Sequence, residues 1–440
     1  MTTTLADLDQ NLHQCWRCSH CKWVPAPLSH RFSRICPSVE WGNFHTYSGG
    51  GKLITAYALA RGAVPYTAKT VESVFACTMC GGCDVGCKSN NAELIELQEV
   101  LYALRAKMAA DGQNPPEHLA IIDSLRAHGN PFGKPAADRA AWAEGLGLKD
   151  ATREPVDVLL HIGCDNAYSR AYWPELRAIL ALLIQARVDF GIAFAAERTT
   201  GDAAFDLGFQ DNAREQAMAM AALIAATGAR RVVTCSAGSY SAFRTIWPRL
   251  GVAPPAVDVM HVTEFVEGLF AEARLTTAGT FETRATYHDS CRLGRLSEPY
   301  QQSDAKWIRV LNNLPVHDPV KPIQFGNDGL YDAPRRLLAR ISGVTIKEME
   351  RNRASVWCCG GKAGAPEAYP DFAAFAARER MAEARATNAQ VIVTASCACQ
   401  KQLAGAREDG APQVIGLFSL IAAATAASID MAPTALPARS

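Results

Sequence analysis

Eight of the fifteen cysteines fall in two short runs near the N-terminus. The first run is Cys15, Cys18, Cys21 and then Cys36-Pro37; the second is Cys77, Cys80, Cys83 and Cys87. Three cysteines at i, i+3 and i+6 wrap three thiolates around one compact inorganic core, and a fourth thiolate completes it from elsewhere. That is the ligand demand of a cubane [4Fe–4S] cluster. Two runs imply two clusters, and two clusters imply that electrons move through the chain.

Other readings of these cysteines fit less well. Zinc sites pair one Cys-x-x-Cys with a distant second pair, and three cysteines in close succession overfill such a hairpin, although zinc stays the alternative. A disulfide framework suits a small secreted chain; this one is long and has an odd cysteine count. No Cys-x-x-Cys-His supports covalent haem. In two-cluster ferredoxins the fourth cysteine of a run serves the other cluster. That pattern assigns Cys15, Cys18, Cys21 and Cys87 to one cluster, and Cys77, Cys80, Cys83 and Cys36 to the second. The sequence departs from it twice. Lys22–Ile35 is inserted before Cys36, as a loop over a cluster, a partner contact or an idle surface loop. Lys88 stands where a proline is expected.

Length permits two to four domains. Lys+Arg and Asp+Glu both number 44, and no basic stripe points to nucleic acid. The apolar stretches Ala178–Ile184 and Val414–Ala427 are too short, or too rich in small residues, to span a bilayer. Met1–Gln14 is unlike a secretory leader. The simplest placement is cytoplasmic, with any contact to the inner membrane made through a partner.

The fold class expected is α followed by α/β. Residues 1–135 read as a small α-helical two-cluster domain, with helices over Ser89–Ala110 and Glu117–His128. Ala136–Glu154 is a charged connection anchored by Trp142. From Pro155 short apolar strands alternate with helices: strands at Val156–Ile162, Val188–Phe194, Arg231–Thr234 and Val257–His261, then again at Ala285–His288, Val344–Met349, Val391–Thr394 and Val414–Phe418. This pattern argues for parallel, covered sheets. Cysteines in both halves follow strands, where open α/β sheets bind ligands.

Five segments give the chain a family likeness: Tyr287-His-Asp-Ser-Cys291, Tyr331-Asp-Ala-Pro334, Glu348-Met-Glu-Arg-Asn352, Cys358-Cys-Gly-Gly361 and Asn130-Pro-Phe-Gly133. With them the chain resembles the heterodisulfide reductase D-type (CCG domain) iron–sulfur oxidoreductases, whose relatives include the iron–sulfur subunits of glycolate oxidase, anaerobic glycerol-3-phosphate dehydrogenase and tungsten-type benzoyl-CoA reductase. The resemblance implies a ferredoxin domain (1–135) followed by two cysteine-rich CCG domains (136–280 and 281–440). It also implies that Cys291, Cys358, Cys359, Cys397 and Cys399 form a C-terminal site for a third, non-cubane [4Fe–4S] cluster, with zinc as the alternative. Ser396-Cys397-Ala398-Cys399 displaces one ligand by a residue, and Ser297–Asn327 reads as an insertion. The first CCG domain is degenerate: Cys164 is present, Thr199-Thr200-Gly201 stands for Cys-Cys-Gly, and Cys235-Ser-Ala-Gly238 has lost one cysteine. A structural pseudo-site is expected there.

Smaller features have plain readings beside functional ones. His288 is a structural histidine, or a donor or ligand to the C-terminal site. Lys362 is a solvated lysine, or a charge that tunes a cluster. Gly49-Gly-Gly-Lys52 is a turn before a helix Leu53–Ala60, and His161 is core. The function expected is an electron-transfer subunit of a larger redox complex, relaying between two cubane clusters and the CCG site. Its partners would be a flavoprotein, an electron-transferring flavoprotein or a membrane cytochrome b, because no dinucleotide fingerprint is present. A disulfide reductase acting at the C-terminal site is the runner-up, and a zinc-bound scaffold the third reading.

Overall fold

The computed structural model describes residues 3–253, 256–311 and 313–425. The end of the expected C-terminal domain, 426–440, and the last two residues of the apolar stretch Val414–Ala427 lie outside the described residues, as do the first two of Met1–Gln14.

Up to residue 128 the chain is helical. Helices Gly49–Ala60, Ala68–Phe75, Gly82–Asn91, Leu97–Ala110 and Pro116–His128 carry or surround the N-terminal cysteines. The single helix expected over Ser89–Ala110 is broken: Asn91 ends one helix, Ala92 takes φ 49°, and a new helix starts at Leu97. Gly49–Lys52 is the first turn of its helix rather than a turn before it. Ser48 caps that turn by accepting from the Gly51 N–H at 3.0 Å, the ordinary role of serine at a helix start.

Two parallel sheets follow. The first contains β1 (Lys149–Asp150), β2 (Val158–His161), β3 (Phe190–Ile192), β4 (Arg231–Thr234) and β5 (Asp258–His261) in the order β1-β3-β2-β4-β5. The second begins with β6 (Thr280–Tyr287). An antiparallel hairpin, β7 (Lys306–Val310) and β8 (Leu314–Asp318), then fills the expected insertion. After β9 (Ser342–Ile346), β10 (Val391–Thr394) and β11 (Gln413–Gly416), the sheet order is β11-β10-β6-β9. Taken from the other edge, β9-β6-β10-β11 repeats β3-β2-β4-β5. β2, β3 and β10 are buried along their whole length, which the β-branched and leucine-rich runs favour under helices on both faces.

One apolar core joins the halves. Leu160, Leu180, Leu183 and Val266 pack in the same cluster as Tyr287, Val393, Leu417 and Phe418, with Trp142 as the anchor from the connection. A second core packs the N-terminal helices, through Leu101, Tyr102 and Leu104, against Phe205, Met220 and Trp247 of the first half.

Candidate iron–sulfur sites

The N-terminal cysteines gather in two groups. Cys15, Cys18, Cys21 and Cys87 line one cavity with His45, Gly50 and Asn91. The Gly50 N–H donates to Cys21 Sγ at 3.2 Å, and the Asn91 side-chain amide donates to Cys87 Sγ at 3.4 Å and lies 3.9 Å from Cys18 Sγ. The Asn90 amide also lies 3.7 Å from Cys18 Sγ, so both asparagines face sulfur. A side chain on Gly50 would crowd Cys21 Sγ at 3.4 Å and Cys15 Sγ at 3.7 Å, so the bare backbone forms one wall.

Cys36 lies with the second run: Lys52, Cys77 and Cys80 all act on its thiol, which burial pushes up to about 12. Pro37 starts a helix directly after it. Cys83 faces Cys36, Cys77, Cys80 and also Cys21. Lys88 is buried and bonded to Asp84 and Glu96, each at 2.9 Å, and to the Gln324 carbonyl at 3.1 Å. It ties the second run to the hairpin insertion.

The inserted Lys22–Ile35 loop is ordered. Trp23 and Arg34 pair as an antiparallel bridge, Val24 N donates to Ser33 O at 2.8 Å, and Arg31 grips Glu379 at 2.6 and 2.7 Å.

In the second half Cys291, Cys358, Cys359, Cys397 and Cys399 all line one cavity. It lies at the carboxyl ends of β6 and β10, between which the strand order reverses, the usual ligand position of an open parallel sheet. Ligand atoms of His288, Cys359 and Cys399 lie within 4.8 Å of one another. Cys358 hydrogen-bonds Cys291, Cys359 and also Cys80, so the second N-terminal run touches this cavity. That hydrogen bond holds the Cys80 thiol well below the usual range, with Arg295 adding to the effect. Cys397 faces elsewhere: its thiol donates to Asn166 Oδ1 of the first half.

Cationic groups surround the cavity. Buried His288 takes a hydrogen bond from Arg380 Nε on Nδ1 at 2.9 Å, and its ring also meets the Cys359 thiol. Arg292 pairs with Asp206 and keeps Nη1 unpartnered. Arg295 donates to the carbonyls of Cys80 at 2.6 Å and of Ala354 and Val356 at 2.8 Å, and keeps Nη2 unpartnered. Lys362 is not a solvated lysine. It pairs with Asp165 and lies 4.0 Å from Asp202, both in the first half. Sequence reasoning passed over Arg292 and Arg295; two arginines within four residues of Cys291 were the available signal.

These observations test whether iron–sulfur clusters fit. Grouped buried thiolates repel one another unless cations neutralise them, and burial already drives Cys83, Cys87 and Cys397 upward as thiols. The donors are sulfur, as such clusters require. Backbone N–H groups of Gly50 and Gly360 donate to Cys21 and Cys358 sulfur, and buried Arg292 and Arg295 supply positive charge beside Cys291. The residues fit.

Residues 323–404 match the CCG cysteine-rich domain family. The chain is 27% identical over 409 residues to the D-type subunit of the dihydromethanophenazine:CoB–CoM heterodisulfide reductase of Methanosarcina mazei, covering 90% of this chain and 89% of that one. The chain is a heterodisulfide reductase-like iron–sulfur oxidoreductase. This reductase-like chain is also 29% identical to a "Probable membrane-anchored ferredoxin" of Chromohalobacter salexigens, across 83% of its own length but 50% of the relative's. It is 25% identical to the EtfAB:quinone oxidoreductase of Syntrophomonas wolfei, across 67% of itself and 37% of that protein.

In the reductase-like chain the first-half counterpart of the Cys291 cavity is lined by hydroxyls. Strand register makes Thr234 equivalent to Thr394 and His161 to His288. Cys164 then matches Cys291, Ser239 matches Cys399, and Cys235 matches Ala395. Cys235 is therefore not the survivor of a ligand pair; Ser236 and Ser239 hold those places. Thr200 Oγ1 meets Ser239 Oγ at 3.2 Å, where the second half brings Cys359 to Cys399. His161 is core, bonded to Thr234 Oγ1 at 2.9 Å, and Cys164 is gripped by Arg139 Nη2 at 3.3 Å.

Proposed function

We propose that this iron–sulfur oxidoreductase subunit relays electrons from two N-terminal cubane clusters to the C-terminal CCG cysteines. Cys15, Cys18, Cys21 and Cys87 would hold the first cluster, and Cys36, Cys77, Cys80 and Cys83 the second. Cys291, Cys358, Cys359 and Cys399 would hold the third, with Cys397 at its edge. Clusters bound there supply one-electron chemistry at potentials set by charge, hydrogen bonds and exposure.

The observation that carries this reading is the contact of Cys80 with Cys358, which joins the second run to the CCG cavity. Arg295 spans the same junction. The chain's residues insulate the path with buried backbone and fix the thiols with N–H donors. A degenerate first half favours relay over autonomous two-site chemistry. Relatives named as a subunit of a heterodisulfide reductase and as an EtfAB:quinone oxidoreductase support redox partner subunits, and a flavoprotein, an electron-transferring flavoprotein or a cytochrome b would serve in that place. No helix among the described residues is long and apolar enough to cross a membrane, so attachment to the inner membrane from the cytoplasmic side would run through such a partner.

Iron, sulfide and zinc analysis of anaerobic protein tests the proposal. Two cubane clusters require about eight irons, and a third four-iron cluster about four more. A colourless, zinc-loaded and fully folded chain overturns it.

One observation favours disulfide reduction as a second reading. A cleft of about 440 Å³, lined by Lys134, Arg170, Tyr172 and Lys401, shares Asp165, Gly361 and Ala398 with the CCG cavity. A small disulfide could reach the thiols by that route. Dye-driven turnover of a disulfide, abolished by Cys359→Ser, would select this reading.

A further inference from the structure

We propose that the mouth of the Cys15–Cys18–Cys21–Cys87 cavity is a docking surface for an acidic protein electron carrier, gripped by Trp16, Phe44, Arg17 and Lys22. The proposal rests on the relay reading, which gives this cavity a redox centre; it adds where electrons are exchanged and with what kind of partner.

Exposure marks the place. Of the fifteen cysteines only Cys18 is exposed; the others are buried or half-buried. Two large aromatic side chains stand open beside it, Trp16 at 61% and Phe44 at 67%. Trp16 lines the cavity, and Phe44 adjoins His45, which also lines it. Exposed aromatics in contact with a functional opening are the residues that anchor protein interfaces.

Charge identifies the partner. Between Asp9 and Glu40 the chain has no acidic residue. Four cations lie in that stretch. Arg31 is taken by Glu379 and Arg34 by Glu40, but Arg17 and Lys22 form no ion pair among the described residues. Arg17 lines the cavity beside Cys18, and Lys22 follows Cys21 directly. Unpaired cations around an apolar centre call for a partner with a carboxylate rim, and such complementarity acts chiefly on the association rate. A lipid surface would meet the aromatics and the charge, yet it accepts no electron from the exposed thiol site.

The test uses the full, iron-loaded chain. Stopped-flow reduction by a reduced acidic [2Fe–2S] ferredoxin is compared with reduction by dithionite, and basic cytochrome c serves as acceptor control. Expected are a carrier rate that falls steeply with salt and a carrier-to-dithionite ratio lowered about tenfold in Arg17→Glu/Lys22→Glu. Trp16→Ala should lower the same ratio with no change in salt slope. If the double variant loses iron, Lys22→Glu alone is read, with a smaller loss expected. An unchanged ratio in the charge variants, or faster exchange with cytochrome c than with ferredoxin in wild type, overturns the proposal. So does charge-dependent sedimentation with phosphatidylglycerol vesicles alongside salt-independent carrier rates. Absence of any dithionite-reducible centre would instead defeat the relay reading.

Discussion

The two α/β halves are built on one plan and differ in what they hold. Both place a histidine at the end of the central strand and a cysteine three residues on: His161 and Cys164, His288 and Cys291. Both turn at a glycine of positive φ, Gly201 at 86° and Gly360 at 94°. An added Cβ at either glycine would run into a carbonyl of a following helix, Ala213 in one and Ala373 in the other. Yet one half offers Cys358, Cys359 and Cys399 where the other offers Thr199, Thr200 and Ser239. The shape of the pocket therefore follows from backbone packing, and the chemistry from a few side chains laid over it. Hydroxyls hydrogen-bond to each other and satisfy the site without a metal; buried thiolates do not.

The largest effect should separate the halves by metal content. Cys359→Ser and Cys399→Ser are expected to remove the iron of the second half, seen by metal analysis and by EPR of the reduced protein. Cys164→Ser and Cys235→Ser should leave iron unchanged. Iron loss on Cys164→Ser would mean that the first half is a metal site after all.

Next in size is the buried ionic support. Glu383 accepts from Arg351 N at 2.7 Å, Arg351 Nε at 3.0 Å and Arg380 Nη1 at 2.7 Å. Its first-half counterpart in role is Glu197, which takes Arg139 at 3.0 Å and the N–H groups of Ile162 and Gly163 at 2.7 and 2.9 Å. Glu383→Gln and Glu197→Gln should each cost about 3–5 kcal/mol, since an unpaired buried charge remains. Denaturant midpoints would read this, and a much smaller cost in the first half would show that losing ligands has softened it.

The glycine pair offers a sharper comparison. Gly201→Ala and Gly360→Ala should each destabilise by about 1–3 kcal/mol, through an unfavourable φ and a backbone collision. Equal shifts in thermal midpoint support a shared scaffold. A cost confined to Gly360 would break the equivalence.

Acid gives the smallest and most one-sided effect. Burial lowers His261 of the first half to about 3, while the equivalent second-half position is Gly416. The folded state refuses a proton that the unfolded chain takes at about pH 6.5. Stability is therefore fully present above that value and is lost as pH falls toward about 3, by roughly 1 kcal/mol at about pH 5.5. His261→Asn, which can still cap helix Val262–Ala271, should flatten that slope in melts across pH 5 to 7.

Much of this architecture is legible in the sequence, for physical reasons that differ by element. Arg231–Thr234 and Val391–Thr394 form strands over the residues expected because short β-branched runs between helices have few other uses. Helix Pro116–His128 is bounded by proline and glycine as its sequence suggests. The cysteine runs state their own chemistry by spacing. Tertiary demands account for the differences. The break at Ala92 turns Asn91 toward Cys87 and frees Glu96 to meet Lys88 and Lys321, at 2.9 and 2.7 Å. Before Cys358 no strand forms: a short 3₁₀ turn, Arg353–Ser355, leads into an irregular segment whose Trp357 Nε1 donates to Ala376 O at 2.9 Å. The partners of Lys362 lie far away in sequence, so its ion pairing had no local signal. The one-residue reassignment of Cys235 needed strand register, which a lone sequence does not display.

Each half lends the other a charged group. Glu175 of the first half accepts from the N–H groups of Phe418 and Ser419, at 2.8 and 3.1 Å, at the start of helix Leu417–Thr425. Lys362 crosses in the opposite direction to Asp165 and Asp202. Neither half is thus a detachable module. Cutting away the first half would orphan a helix terminus and strand an ammonium group, so that half braces the second whatever its own pocket holds.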